Sequence, residues 1–179
     1  MVYVFLADGF EEIEALAPVD VLRRGGVAVK TVGVGKRTVT GSHNISVLCD
    51  ISEDEVNFAD IDAVILPGGM PGTLNLQKSD KVIAAIEDAQ DNGKLIGAIC
   101  AAPSILGKMG ILNGKKATCF PGFEEYLKGA ILTDLPAVRD GNIITSRGAG
   151  AAFDFGFLLL SALTDSKTAE KLSRDMKYI

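Results

Sequence analysis

The chain is poor in the residues that most often build metal, disulfide and nucleic-acid sites. It holds one histidine, His43, and three cysteines, Cys49, Cys100 and Cys119, with no ligand spacing among them. The usual zinc frameworks are thereby excluded, and neither a metal nor a cofactor is expected. An odd number of unpaired cysteines also argues against a disulfide framework. Lys and Arg total 18 against 23 Asp and Glu, a net charge of −5. Nucleic acid and acidic membrane surfaces are therefore not expected partners. No long apolar run exists; the longest segment, 148–163, contains Asp154 and is too short to span a bilayer. The amino terminus, MVYVFLADGFEE, lacks a basic segment and turns acidic at Asp8, so it reads as a strand and not as a signal peptide. A soluble, cytoplasmic protein is expected.

What is present is alternation. At 179 residues, 47% hydrophobic and 23% charged, the chain suits one domain over 1–179 with a full core. Val2–Ala7 is a continuous apolar run, as a buried parallel strand requires. Glu11–Arg24 follows with Ile13, Leu16, Ala17 and Val21 at helical spacing, and Gly25-Gly26 ends it. Val27–Val34 and Asp62–Leu66 are further core strands, with short strands at Thr38–Thr40 and Ile45–Cys49 and a loop or single turn at Ser52–Phe58. Ser79 caps a helix over Lys81–Asn92 that stops at Gly93. Lys115–Cys119 reads as a strand and Pro121–Leu127 as a short helix. Ala137–Asp140 and Asn142–Ser146 form a hairpin around Asp140-Gly141, and helices cover 148–163 and 169–177. The repeated strand–helix order predicts a three-layer α/β/α sandwich with a mostly parallel sheet.

One stretch concentrates chemical potential. In KLIGAICAAPSILG, Lys94–Gly107, an apolar strand runs into Cys100, small residues and then a helix with Pro103 in its first turn. A cysteine at the carboxyl edge of a parallel sheet and at a helix start has the setting of a low-pKa nucleophile, the thiol version of a nucleophile elbow. It has equally the setting of a buried small hydrophobe. Three loops at strand ends supply possible companions. In DGFEEIE, Glu11 and Glu12 read as solvated charges favoured by the helix dipole. Glu14 falls toward the buried side, beside an irregularity at Pro18, which has no N–H for the Glu14 carbonyl; a charge on a kinked surface helix is the alternative. In PGGMPGT, Gly68 and Gly69 permit N–H groups to point into a cleft, or simply end a strand. In SRGAG, Arg147 is an anion ligand or a surface ion-pair partner.

Four landmarks, GFEEIEALAPVDVLRRGG, VILPGGMPG, IGAICAAPSIL and TSRGAG, occur in the order and spacing of the ThiJ/PfpI family. The chain resembles most its DJ-one branch, within the class I glutamine amidotransferase-like superfamily. The resemblance implies a flavodoxin-like sandwich, a homodimer, and a reactive cysteine at Cys100 with Glu14 hydrogen-bonded to it. It also implies an oxyanion hole from the N–H groups of Gly69 and Ala101, and a dimer-interface position for Arg24. One departure stands out: Phe120 occupies the place of the family's usual histidine. His43 lies in a turn-like GSHN stretch and reads as a surface side chain. Cys119, beside the replaced position, is either a second thiol near the site or a strand residue facing away.

The missing histidine bears on the chemistry. Amide hydrolysis by a thiol needs a base and then an acid for the departing amine, both commonly histidine. A cysteine peptidase or amidase is therefore disfavoured. An α-oxoaldehyde expels no amine, so a Cys100–Glu14 pair suffices. The expectation is a glyoxalase or deglycase acting on methylglyoxal-like aldehydes or early glycation adducts, through a Cys100 hemithioacetal with Glu14 moving the proton. The alternative is an oxidative-stress sensor whose Cys100 oxidises to sulfinate. A chaperone-like dimer is a further alternative, without a long exposed apolar segment to support it.

Overall fold

A computed structural model describes Met1–Ile179. The first strand, β1 (Val2–Leu6), is buried along its whole length. It leads into α1 (Glu12–Arg24), followed by β2 (Val29–Gly33), a hairpin of β3 (Thr38–Thr40) and β4 (Ser46–Leu48), and a short β5 (Ile51–Ser52). Next come β6 (Ala63–Leu66), α2 (Gly72–Lys78), α3 (Asp80–Asp91), β7 (Leu95–Ile99) and α4 (Pro103–Lys108). The last third contains β8 (Lys116–Ala117), β9 (Ile131–Leu132), β10 (Ala137–Asp140), β11 (Ile143–Ser146), α5 (Ala152–Leu163) and α6 (Ser166–Asp175). The main sheet has the order β10-β11-β7-β6-β1-β2-β5 and is parallel except for β10. Its strands β2-β1-β6-β7-β11 follow the 2-1-3-4-5 order of the flavodoxin-like sandwich. No helix is long and apolar enough to cross a membrane.

Strand alternation divides the interior into two layers. Val2, Val4 and Leu6 face α1 and α5 with Phe155 and Leu160, whereas Tyr3 and Phe5 face the opposite layer with Ile86 and Ile105. Both faces of the sheet are covered, which is why its strands read as unbroken apolar runs. Helix α1 packs closely on α5 because Gly156 is bare: a Cβ there would lie 3.2 Å from the Pro18 Cα. Pro18 is accommodated inside α1, and its ring is buried.

The hairpin of β10 and β11 forms as predicted, and Ser79 accepts the amide of Val82 at the start of α3. Other boundaries move. The strand expected over Lys115–Cys119 is only β8, since it pairs with short β9 outside the main sheet. The expected helix at Pro121–Leu127 is one 3-10 turn, Glu124–Tyr126. The helix expected from Gly148 begins with a 3-10 turn, Ala149–Ala151, before α5 proper. Helix α6 starts earlier than expected, where the Asp165 side chain caps the Thr168 amide at 2.9 Å. Helix α2, hidden behind the Pro-Gly signals of PGGMPGT, was not anticipated.

Candidate active site

Glu14, Gly68 and Cys100 lie far apart in sequence, but β1, β6 and β7 are neighbours and end on the same edge of the sheet. The loops after β1 and β6 are tied by Glu11 N–H to the Gly68 carbonyl, 2.9 Å, and Gly72 N–H to the Gly9 carbonyl, 3.2 Å. Gly69, at φ 88°, must be glycine for this approach, since a Cβ would sit 2.4 Å from the Glu11 amide.

Cys100 adopts φ 65°, a left-handed conformation that costs a non-glycine residue ~1–3 kcal/mol. Two backbone bonds hold it there: its N–H donates to the Ser146 carbonyl at 2.9 Å and its carbonyl accepts the Phe120 amide at 2.8 Å. The bend brings the thiol beside the Glu14 carboxyl, near enough that each shifts the other's pKa, and the backbone N–H groups of Gly69 and Ala101 lie close enough to favour the thiolate. Glu14 is 1% exposed, and its Oε2 accepts the Gly68 amide at 3.0 Å. Gly68, expected beside Gly69 to point an N–H group into a cleft or to end the strand, has a second, steric role. Its missing side chain makes room for the pair: a Cβ would lie 2.6 Å from both Cys100 Cβ and Glu14 Oε2. The PGG triplet was the signal for it.

Burial pushes the Glu14 carboxyl up to about 7, against the opposing hydrogen bonds from Cys100 and Gly68. Burial also pushes the Cys100 thiol up, to about 12, and the Glu14 carboxylate raises it further by charge and by accepting its proton. The lowering of the thiol expected from the helix start is thus opposed by burial and by Glu14. Helix α4 is six residues long, so its dipole is small beside desolvation and a carboxylate in contact. The N–H groups of Gly69 and Ala101 lower the thiol value but do not outweigh these causes. Cys100 and Glu14 therefore titrate as one coupled unit, with a proton hydrogen-bonded between them near neutral pH.

The remaining predicted positions separate. Phe120 touches the elbow through its backbone, and its ring, 47% exposed, leans over Gly148. Cys119 is buried in the layer opposite to the one that Cys100 packs against, so it is not a second thiol of the site. Arg147 turns toward the Asp134 carbonyl and shares a cleft of about 210 Å³ with Cys119 and Glu124. Arg24 pairs with Asp20 at 2.7 Å on the exposed face of α1.

Glu12 corrects another expectation. It is 6% exposed, not solvated, because the β3–β4 hairpin folds over the start of α1. Its carboxylate accepts the amides of His43 at 2.8 Å and Ile45 at 3.4 Å, and His43 Nδ1 lies 3.0 Å away. His43 is exposed and is occupied by Glu12, Glu11 and Ser42. No sequence spacing announced this cluster, which closes across 31 residues.

The cluster sets a pH window for stability. Burial would raise the Glu12 carboxyl, but the hydrogen bonds from His43, the backbone and Ile45 prevail and hold it at about 2. Its stabilisation is present above 4.5 and lost as pH falls through about 2. The hydrogen bond to Glu12, then the charges of Glu11 and Glu12, raise His43 above 6.5; its stabilisation is complete below 6.5 and lost as pH rises through the folded value. Thermal melts should show the largest gap between wild type and His43→Ala between pH 4.5 and 6.5, narrowing on the alkaline side. A gap that widens above pH 8 would contradict this pairing.

The family model described as DJ-1/PfpI matches residues 1–162. Drosophila melanogaster protein dj-1beta is 35% identical over 97% of this chain and 94% of its own length. Deglycase TK1284 of Thermococcus kodakarensis is 32% identical, with 83% of this chain and 90% of that protein covered. A crystal structure of a cysteine-to-alanine mutant of a DJ-1 superfamily protein from Salmonella typhimurium superposes with a TM-score of 0.94 at 35% identity, covering 99% of this chain and 98% of that one.

Proposed function

The chain belongs to the DJ-1/PfpI family, and we propose that it is a cofactor-independent, cysteine-dependent enzyme acting on α-oxoaldehydes or the early adducts they form on amines. The observation that carries this reading is the Glu14 carboxyl, 1% exposed and packed beside Cys100 across Gly68, where burial pushes it up to about 7. An acid–base group is most effective with a pKa near the operating pH. The deglycase name of one relative points the same way.

The steps balance without an outside oxidant. Cys100 Sγ bonds to the aldehyde carbon while its proton passes to Glu14, and the carbonyl pair moves to oxygen. That oxyanion is received by the N–H groups of Gly69 and Ala101 and takes the proton held by Glu14, giving the hemithioacetal and restoring the Glu14 carboxylate. Glu14 removes the hydrogen left on the former aldehyde carbon, forming an enediol, and returns a proton to the adjacent carbon. One carbon is oxidised and its neighbour reduced, producing a thioester. Water cleaves the C–S bond, releasing a 2-hydroxy acid and restoring the thiol. Methylglyoxal would give lactate. The one histidine, His43, is held by Glu12, Glu11 and Ser42, and an α-oxoaldehyde asks less of the site than a peptide, since it has no amine to expel. Purified protein incubated with methylglyoxal should form lactate, and Cys100→Ser should reduce that to background; turnover surviving in Cys100→Ser removes the reading.

A second reading rests on the same N–H groups. Aimed at sulfur beside a protonatable Glu14, they would also stabilise the oxygens of a Cys100 sulfinate, as a redox sensor requires.

The active form is proposed to be a homodimer. Ile13 and Leu16 on α1, and Ile45 and Leu48 on and beside the hairpin, are large apolar side chains 37–71% exposed. The hairpin is tied to the start of α1 through Glu12, and Ile13 and Leu16 share that helix with Arg24. Sedimentation at micromolar concentration should show a dimer for wild type and monomer for Ile13→Asp/Leu16→Asp. A monomeric wild type would sink the proposal.

A further inference from the structure

A second cavity, of about 320 Å³, opens beside the Cys100 loop between α2, α4 and the turn at Glu124–Tyr126. Its walls are joined to the candidate site through the backbone. Met70 on its wall directly follows Gly69, whose N–H points at the sulfur. Phe123 donates its amide to the Phe120 carbonyl at 3.1 Å, and Phe120 in turn donates to the Cys100 carbonyl at 2.8 Å. Apolar groups dominate the lining and are unusually open: Met70 is 48%, Leu74 40% and Tyr126 37% exposed. The rings of Phe123 and Tyr126 stand 6.0 Å apart and tilted by 48°.

Two polar groups lack the partners that a sealed wall would give them. Lys108 is the only charged residue lining the cavity. Its ammonium lies 4.7 Å above the Tyr126 ring and donates to the neutral Gln77 Oε1 at 2.8 Å, with no carboxylate within ion-pair reach. Thr73, 1% exposed in the cavity floor, carries a hydroxyl with no hydrogen-bond partner. The volume sits at the lower end of the ~300–1,000 Å³ typical of small-molecule sites and is far larger than a methyl group requires.

We propose that this cavity is a subsite for the substituent of the carbonyl substrate, selecting an apolar or aromatic body that ends in a carboxylate. Carbonyl carbon at Cys100, body against Met70, Leu74 and the two rings, and carboxylate at Lys108 make one extended ligand. The inference rests on the carbonyl-substrate reading above, and its test separates the two.

Cys100 is alkylated with 4-(iodoacetamido)benzoate and with neutral iodoacetanilide at low ionic strength, and turnover of 4-carboxyphenylglyoxal and phenylglyoxal is measured alongside. In wild type the anionic member of each pair should be favoured about tenfold, the ~1.4 kcal/mol expected of one partly desolvated charge pair. Lys108→Gln should bring both ratios to about one, Lys108→Arg should keep them, and Tyr126→Ala should slow both aryl reagents relative to iodoacetamide. Ratios that do not respond to Lys108→Gln overturn the subsite, whatever the turnover. A responsive alkylation ratio with no glyoxal turned over upholds the subsite and removes the glyoxalase reading instead.

Discussion

Glu14→Gln should abolish α-oxoaldehyde turnover while leaving Cys100 alkylable. The amide keeps the shape of the carboxyl and still accepts the Gly68 amide, but it cannot take a proton from carbon and return it. Loss of a positioned acid–base group costs on the order of 10²–10⁴ in rate. Alkylation should move the other way. After burial, the causes that raise the thiol to about 12 are the charge of Glu14 and its hydrogen bond, and both are weakened in the variant. Above the Glu14 pKa of about 7, iodoacetamide should therefore react faster with Glu14→Gln than with wild type, and the difference should vanish below it. Stability follows the same charge. Native Glu14 binds its proton more tightly than the unfolded chain does, so its contribution falls as pH rises from 4.5 through about 7, and Glu14→Gln should gain on wild type over that interval. Wild-type turnover in the variant would dismiss Glu14 as the proton carrier.

Gly68→Ala should separate the pair mechanically. The added methyl has no backbone strain to answer for, because Gly68 does not hold a positive φ, but it lands 2.6 Å from Cys100 Cβ and Glu14 Oε2 and 3.0 Å from the Ile99 carbonyl. The carboxyl is the mobile element and must yield. Overpacking of this kind costs ~1–3 kcal/mol of stability, a drop of roughly 2–12 °C in melting temperature for a domain of this size. Turnover should fall more than stability suggests, by ~10²-fold, since a displacement near 1 Å is enough to break a productive alignment. Gly150→Ala, where nothing lies within 4 Å, is the steric control and should melt within ~0.5 kcal/mol of wild type. Unaltered activity in Gly68→Ala would mean that contact between Glu14 and sulfur is not required.

Much of this arrangement was legible in the chain. Continuous apolar strands announced a sheet covered on both faces, and the four landmarks carried Cys100, Glu14, Gly69 and Ala101 to one place. What was not legible came from contacts between segments distant in sequence. Glu12 read as solvated because nothing local shows that a hairpin 31 residues later folds over it. At Cys100 the helix start is visible in sequence, whereas the burial and the Glu14 carboxylate that oppose it are set by packing. Helix α2 was obscured by glycine and proline that serve the loop before it and its own first turn.

The tie between the β1, β6 and β7 edges has a consequence for how the chain acquires its reactivity. Glu14, Gly68 and Cys100 come together only when three parallel strands have paired, and parallel pairing is a slow, non-local event. Before that closure Cys100 is an ordinary thiol with a pKa of about 8.5, as open to adventitious disulfides as Cys49 and Cys119. Afterwards Cys49 and Cys119 are buried and Cys100 alone stays partly open. Nascent and refolding chains are therefore vulnerable at three sulfurs and the finished fold at one, so the damage suffered by a thiol records when in the life of the molecule it was struck.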